Sequence, residues 1–460
     1  MSKTTSKQLR FPTISGMSVR AAFDGGAMSS DFGALLLAGV DRQMGLTDRL
    51  AASFNDRRHP SYVDHALADL LKQRIYQQAC AYEDGNDAND LRGDPMFKLA
   101  VGRKPLDEAN DLASQPTFSR LENAATRKDI YRMTLALIDQ FTAGFAKEPK
   151  VIVLDMDHTV DPTHGQQEFT FYNHHYRTHC YLPLTIFDGL SGKLVTAVLR
   201  PGKRPTGKEN AMIMKRVVGR IRKSWRHTRI ILRGDGHFSN PELMRLCLDD
   251  GNMEFIFGLP SNKALDRLGE SLMQEAKAVH AYRQHLAKGE AISNTRLFGE
   301  FEYAAGSWPQ AFRVIHKAEV MDLGDNPRFI VTSLDLPSPE IAYTQLYCAR
   351  GNDELYIKEL KRDLACDRTS DSSFLANCMR LIISCGAYQL IHALRSETLK
   401  GTRLAHATAA TIIAKLFKIA VRVVQYKDRI KLHLPSSCPM KEILVQLTEI
   451  LHCTSPPKHA

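Results

Sequence analysis

The stretch VIVLDMDHTVDPTHG, Val151 to Gly165, decides how the rest of the chain is read. Its opening apolar run, Val151 to Leu154, predicts a buried strand that carries two aspartates, Asp155 and Asp157, at its end. Side chains alternate across a strand, so both carboxylates are expected on one face. Asp161 lies past the strand and is expected to serve the turn before Pro162.

Working outward, the periodicity differs on the two sides of this strand. Upstream, from about Met28 to Gly144, apolar residues recur at helical spacing, with Ser29, Ser30 and Asp31 as candidate caps and Ser114 and Pro116 opening a short helix. Downstream, EFTFYNHHYRTHCYLPLTIFDGLSGKLVTAVLR is β-rich, with DGLSGK as a turn. A basic helix (KENAMIMKRVVGRIRKSW), a strand ending in Asp235 (RIILRGD), a helix (NPELMRLCLDDG) and a buried strand (MEFIFGL) follow. Short turns favour antiparallel neighbours. Three such strands, then helix, strand, helix, strand, predict an α/β fold: a ribonuclease-H-like mixed sheet flanked by helices. A helical stretch from about Ala264 to Lys288 and a strand-rich block from Arg296 to Leu334 read as an insertion, and a long helix is expected from about Ile341 to Leu364. The expected segments are 1–148, a mainly helical region suited to binding end DNA; 149–262, the first part of the catalytic core; 263–337, the insertion; 338–395, the second part with the acidic helix; and 396–460, a basic C-terminal region.

Composition narrows the class. The 460 residues carry 61 Lys plus Arg against 51 Asp plus Glu, a net charge of +10 that favours an acidic partner such as nucleic acid. The nine cysteines contain no Cys-x-x-Cys pair and read as reduced thiols of a cytoplasmic protein. The opening residues lack the apolar core of a signal peptide. Apolar windows such as LIISCGAYQLIHALR are interrupted and too short to span a bilayer, so no membrane partner is expected.

Taken alone, Asp-x-Asp-x-Thr after a hydrophobic strand resembles the nucleophile loop of haloacid-dehalogenase-like phosphatases, with Asp155 as nucleophile. It equally resembles the first acidic strand of a metal-dependent nuclease. The segment YCARGNDELYIKELK discriminates between them. Tyr347, Arg350, Glu354 and Lys361 follow at offsets of three, seven and fourteen, within about 60° on one helix face at ~100° per residue. This Tyr-Arg-Glu-Lys spacing resembles the signature helix of DDE transposases encoded by bacterial insertion sequences. Asp157-His158-Thr159 resembles that family's first Asp-x-Thr, and RGDGHF the segment around its second aspartate. The similarity extends from about Phe23 into the basic tail, through RPGKRPTGKENA.

The resemblance implies an enzyme that cleaves DNA at the ends of an insertion sequence and transfers the strands into target DNA. It implies Asp157, Asp235 and Glu354 as catalytic metal ligands, with Asp155 as the alternative first ligand. Phosphodiester chemistry suits hard carboxylate oxygens holding Mg²⁺, with Mn²⁺ as a substitute and two ions expected. Tyr347, Arg350 and Lys361 are implied to contact the DNA backbone. Implied partners are terminal inverted-repeat DNA and target DNA, with a homodimer in the complex, and related families imply a hairpin intermediate. A second reading is a degenerate copy that binds ends without cutting and acts as a repressor.

Other features admit plainer readings. From Arg200 to Arg233 there are twelve Lys or Arg against Glu209, and Lys203, Arg204 and Lys208 are expected to contact phosphate. The tail from Arg395 to His433 is also basic, as a solvated face would be. His174, His175, His179 and Cys180 offer zinc-binding atoms but no second pair nearby. Trp225 and Trp308 read as packing residues, Trp308 being the better candidate for stacking on an extruded base.

Overall fold

A computed structural model of the chain describes residues 8–287, 292–322 and 324–453. The termini of the first and last expected segments, and Lys288 at the expected end of the insertion helix, lie outside the described residues. The chain divides into two compact units that interleave in sequence: Met1–Ile130, Glu359–Arg368 and Ile382–Ala460 in one, Tyr131–Lys358 and Thr369–Leu381 in the other.

Strand β1, Val151–His158, is the hub of the second unit. Its neighbours are β2, Leu184–Asp188, antiparallel on one side, and on the other, running parallel to it, the strand Arg229–Gly234. In chain order the remaining strands are β3 (Leu194–Val198), β4 (Arg229–Gly234), β5 (Met253–Leu259), β6 (Thr295–Tyr303), β7 (Phe312–Met321) and β8 (Arg328–Thr332). Their spatial order is β6-β7-β8-β5-β4-β1-β2-β3, and a ninth, two-residue strand, Gly324–Asp325, pairs with β7 off this path. Strands β1, β4 and β5 are mutually parallel, and β2 and β3 add an antiparallel hairpin. This is the mixed, ribonuclease-H-like sheet expected.

Two details differ from expectation. The link from β1 to β2 is not a short turn, because residues 161–181 build a separate three-stranded sheet. Asp161 belongs to one of its strands, opposite Tyr181, and accepts a hydrogen bond from the Thr369 hydroxyl at 2.8 Å; it does not cap a turn. The strand-rich block expected as an insertion extends the large sheet. Strand β8 pairs antiparallel with β5, and β7 and β6 continue outward, so the block lengthens the same sheet.

Alternation along the strands sorts residues between two cores. Ile152, Leu154 and Met156 of β1, and Ile230 and Leu232 of β4, enter one core. Helices α1 (Gly207–Ser224) and α2 (Pro241–Asp250) cover it with Met214, Val217, Leu243 and Met244. Val153 and Ile231 point to the opposite face, beneath Ala342, Tyr343, Leu346 and Tyr347. The polar residues in step with them, Asp155, Asp157 and Arg233, therefore lie on that second face. The helical segment above it is one run of changing geometry: Pro339–Ile341 α-helical, Ala342–Tyr347 a widened π-turn, Cys348–Arg350 a tight 3₁₀ turn, then α3, Gly351–Lys358. A uniform 100° per residue does not describe it.

The first unit is mainly helical. Gly33–Met44 and Leu46–Ser53 meet at Gly45, whose φ of 67° closes one helix and starts the next. A three-stranded sheet joins Met28–Ser29 to Val421–Gln425 and Ile430–His433. The candidate caps do other work: Ser29 is in that sheet, and the Asp31 carboxylate accepts from Tyr82 and Lys418, each at 2.7 Å. In the same unit the Arg395 guanidinium pairs with Glu359 at 2.8 Å. Arg395 and Lys418 therefore do not belong to a free basic face.

Among the described residues one helix, Phe374–Thr398, is long and apolar enough to cross a membrane, contrary to the interrupted windows read from sequence; 83% of its most apolar window is buried.

Candidate active site

Asp157 stands near the open end of β1, and Asp235 follows the last residue of the adjacent β4. Strand β4 ends at Gly234, so Asp235 opens a turn in place of closing the strand: its Oδ1 accepts from the His237 amide at 2.9 Å. The parallel β1–β4 pairing places both aspartates at the same edge of the sheet. Glu354 is exposed on α3, and its charge reaches Asp157.

Burial pushes the Asp157 carboxyl up to about 6; Asp235 and Glu354 add to the rise, while Arg350 opposes it. Arg350 Nη2 donates to Asp157 Oδ2 at 2.9 Å. Asp235 is partly buried, yet its pKa lies below the usual value because His237, 3.2 Å away, and Arg350 favour its charged form. His237 is raised in return, first by its hydrogen bond to Asp235. His158, stacked on Phe238, is held neutral by burial, its pKa lowered to about 3.

Tyr347 is largely buried, and burial raises its phenol pKa. A Cβ on Gly258 of β5 would lie 2.6 Å from the Tyr347 hydroxyl, so glycine there makes room for the ring. Lys361 belongs to the other unit, where its Nζ lies 3.5 Å from Asp367.

Asp155 occupies a different environment from Asp157. It is fully buried, and Arg233 grips both its oxygens, Nη2 to Oδ2 at 2.6 Å and Nε to Oδ1. Both of its oxygens are thus engaged by one buried guanidinium. The same pairing removes the phosphatase reading, since a nucleophile needs access to substrate.

The basic run is also divided. Arg200, Arg220, Arg222, Arg229 and Arg233 are committed to Glu209, Asp139, Asp250, Glu254 and Asp155. Lys203, Arg204 and Lys208 are exposed, Lys203 lying 4.2 Å over the Phe171 ring. The loop borders the site, because Arg204 bears on His237 electrostatically and Arg200 on His158. Thr206 and Glu209 form a reciprocal cap that starts α1 beside it.

Trp308 packs edge-on against Tyr303 at 5.3 Å and beside Phe312, and Trp225 is buried between Phe141 and Phe145. His174 and His179 lie edge-on to Tyr172.

Several neighbours of the site were not singled out from sequence. Arg233 and His237 flank Asp235 in RGDGHF, where only the aspartate drew notice. Tyr176 feels the charges of Asp157 and Asp235 from the small sheet, and no spacing in the sequence signals that approach. Asp353 is buried beside Glu354, its pKa raised by burial and then by Asp155 and Asp157.

Among the described residues, no three His, Cys, Asp or Glu side chains converge closely enough to hold one ion. The donor set nonetheless suits a hard divalent cation: carboxylate oxygens at adjacent strand ends, mutually repelling, with one arginine as the present counter-charge.

Comparison with known proteins agrees on the class. No curated protein matches the sequence. Among solved structures, the chain is similar to that titled "Cryo-EM structure of piggyBac transposase synaptic complex with hairpin DNA (SNHP)". The identity is 9% and the TM-score 0.45, over 94% of this chain and 84% of that one. The family described as "Transposase DDE domain group 1" matches residues 11–456, nearly the whole chain. This chain belongs to that family, and it is a transposase.

Proposed function

We propose that the chain cleaves DNA at the ends of a mobile element and joins the freed ends to target DNA, using Asp157, Asp235 and Glu354 to hold divalent metal. The observation that carries this reading is the Asp157 carboxyl, pushed up to about 6 by burial and by Asp235 and Glu354, with Arg350 as its counter-charge. At neutral pH such a group is mostly ionised, at an electrostatic cost that a cation sharing the space would relieve. Mg²⁺ or Mn²⁺ bound there would polarise the scissile phosphate and lower the pKa of an attacking water. The protein's own groups orient the DNA. Arg350, whose Nη2 donates to Asp157, is placed beside that carboxylate to meet a phosphate oxygen. Tyr347, Lys203, Arg204, Lys208 and Lys361 supply further backbone contacts in this reading, and residues 1–148 read the terminal repeats.

The test separates chemistry from binding. Asp157→Asn, Asp235→Asn and Glu354→Gln should each abolish Mg²⁺-dependent nicking of inverted-repeat DNA while retaining a gel shift. Normal cleavage by any of the three removes that residue from the metal set.

A further inference from the structure

The Asp155–Arg233 pair is unused by the chemistry above. Its side chains are 0% and 2% exposed. Strand register sets the two residues side by side, Arg233 opposite Asp155, on the face beneath the helical segment 339–358. The pair has no room to relax: a Cβ on Gly189 would strike both Asp155 Oδ2 and Arg233 Nη2, and the Gly189 amide is itself tied to the Val153 carbonyl at 2.7 Å. Nε and Nη2 of Arg233 serve the carboxylate, and Nη1 donates to the Leu346 carbonyl oxygen. Leu346 lies in the widened turn Ala342–Tyr347, between the α-helical Pro339–Ile341 and the 3₁₀ turn Cys348–Arg350.

We propose that Asp155 and Arg233 form a positioning staple that fixes the rotation of the Tyr347–Glu354 helical segment over the sheet, and so where Arg350 and Glu354 stand relative to Asp157. A buried ion pair is poorly explained by stability, since apolar residues of similar volume usually serve as well or better. A directed bond from a rigid guanidinium fork to one carbonyl is something apolar packing cannot replace. Leu346 precedes Arg350 by one turn and Glu354 by two, so a slip there displaces both. Arg233 and Asp155 touch no reacting atom and act through the helix. The activity readout rests on the proposed cleavage reaction; the structural readout does not.

The experiment uses the full chain with two changes. The double variant Asp155→Leu/Arg233→Met removes the charges together and is expected to fold. Arg233→Lys keeps a charge and loses the fork. Amide hydrogen exchange over residues 342–358 should accelerate by about 10- to 100-fold in both, the worth of one charge-assisted hydrogen bond. Cleavage of end DNA should slow by a similar factor. Exchange at the wild-type rate across that segment in either folded variant overturns the staple, whatever the activity. Failure of the double variant to fold also overturns it, by making the pair a requirement of folding. If the wild-type chain cleaves no DNA, the proposed function fails while the exchange result still decides the staple.

Discussion

Asp155→Asn and Asp157→Asn should change the stability of the sheet in opposite directions. Both residues sit on one face of β1, two positions apart, so intrinsic strand preference cannot separate them. Asp155→Asn removes the charge that compensates Arg233, whose side chain is 2% exposed, and a buried ion left alone costs about 3–5 kcal/mol. Asp157 is the reverse case. Its folded pKa is raised from 3.8 to about 6, so its ionisation opposes folding. Below pH ~4 the group is neutral in the folded chain and costs nothing; as pH rises toward 6 the unfolded chain releases its proton first, and stability falls. Above pH 6 the cost levels off at roughly 3 kcal/mol, from about two pKa units at 1.36 kcal/mol each. Asp157→Asn should therefore stabilise at pH 7.5 by up to that amount and change little at pH 4. Urea unfolding followed by tryptophan fluorescence is the appropriate assay, because both tryptophans, Trp225 and Trp308, lie in the unit that holds the site. A stabilisation by Asp157→Asn that is equal at the two pH values would refute the electrostatic reasoning. So would an Asp155→Asn variant as stable as wild type.

Two further outcomes follow from the geometry. Lys203→Ala, Arg204→Ala and Lys208→Ala together should weaken binding to cognate and unrelated DNA by similar factors and reduce the slope of log affinity against log salt by roughly 0.9 for each phosphate no longer neutralised. Adding Arg220→Ala should leave that slope unchanged, since Arg220 is paired with Asp139; a further fall in slope would show that arginine on phosphate. Gly258→Ala should destabilise the site unit, because the new methyl would lie 2.6 Å from the Tyr347 hydroxyl. Tyr347→Phe should restore part of the loss, and a double variant no better than the single one would place the clash elsewhere.

Much of this protein was legible in its sequence because it rests on local period and chemical type. The alternation in Val151–Asp157 placed both aspartates on one face, and the β1–β2–β3, α1, β4, α2, β5 order predicted a mixed sheet. The family resemblance drew attention to Tyr347, Arg350 and Glu354, which the structure sets over that same face or at its edge. What sequence left open was decided by contacts between residues far apart in the chain. Asp155 and Asp157 have the same side chain and the same facing; only the register of β4 puts Arg233 beside one of them, and only the helix brings Arg350 to the other. Charge counting gave no partner to any of the twelve basic residues of Arg200–Arg233, whereas five are spent on carboxylates, and of those carboxylates only Glu209 lies within that run. Sequence order showed the strand-rich block as an insertion but not what it pairs with; antiparallel pairing to β5 makes it part of the sheet. Period and residue type are properties of neighbours along the chain. Register, ion-pair partners and the local dielectric that sets a pKa belong to the packed fold.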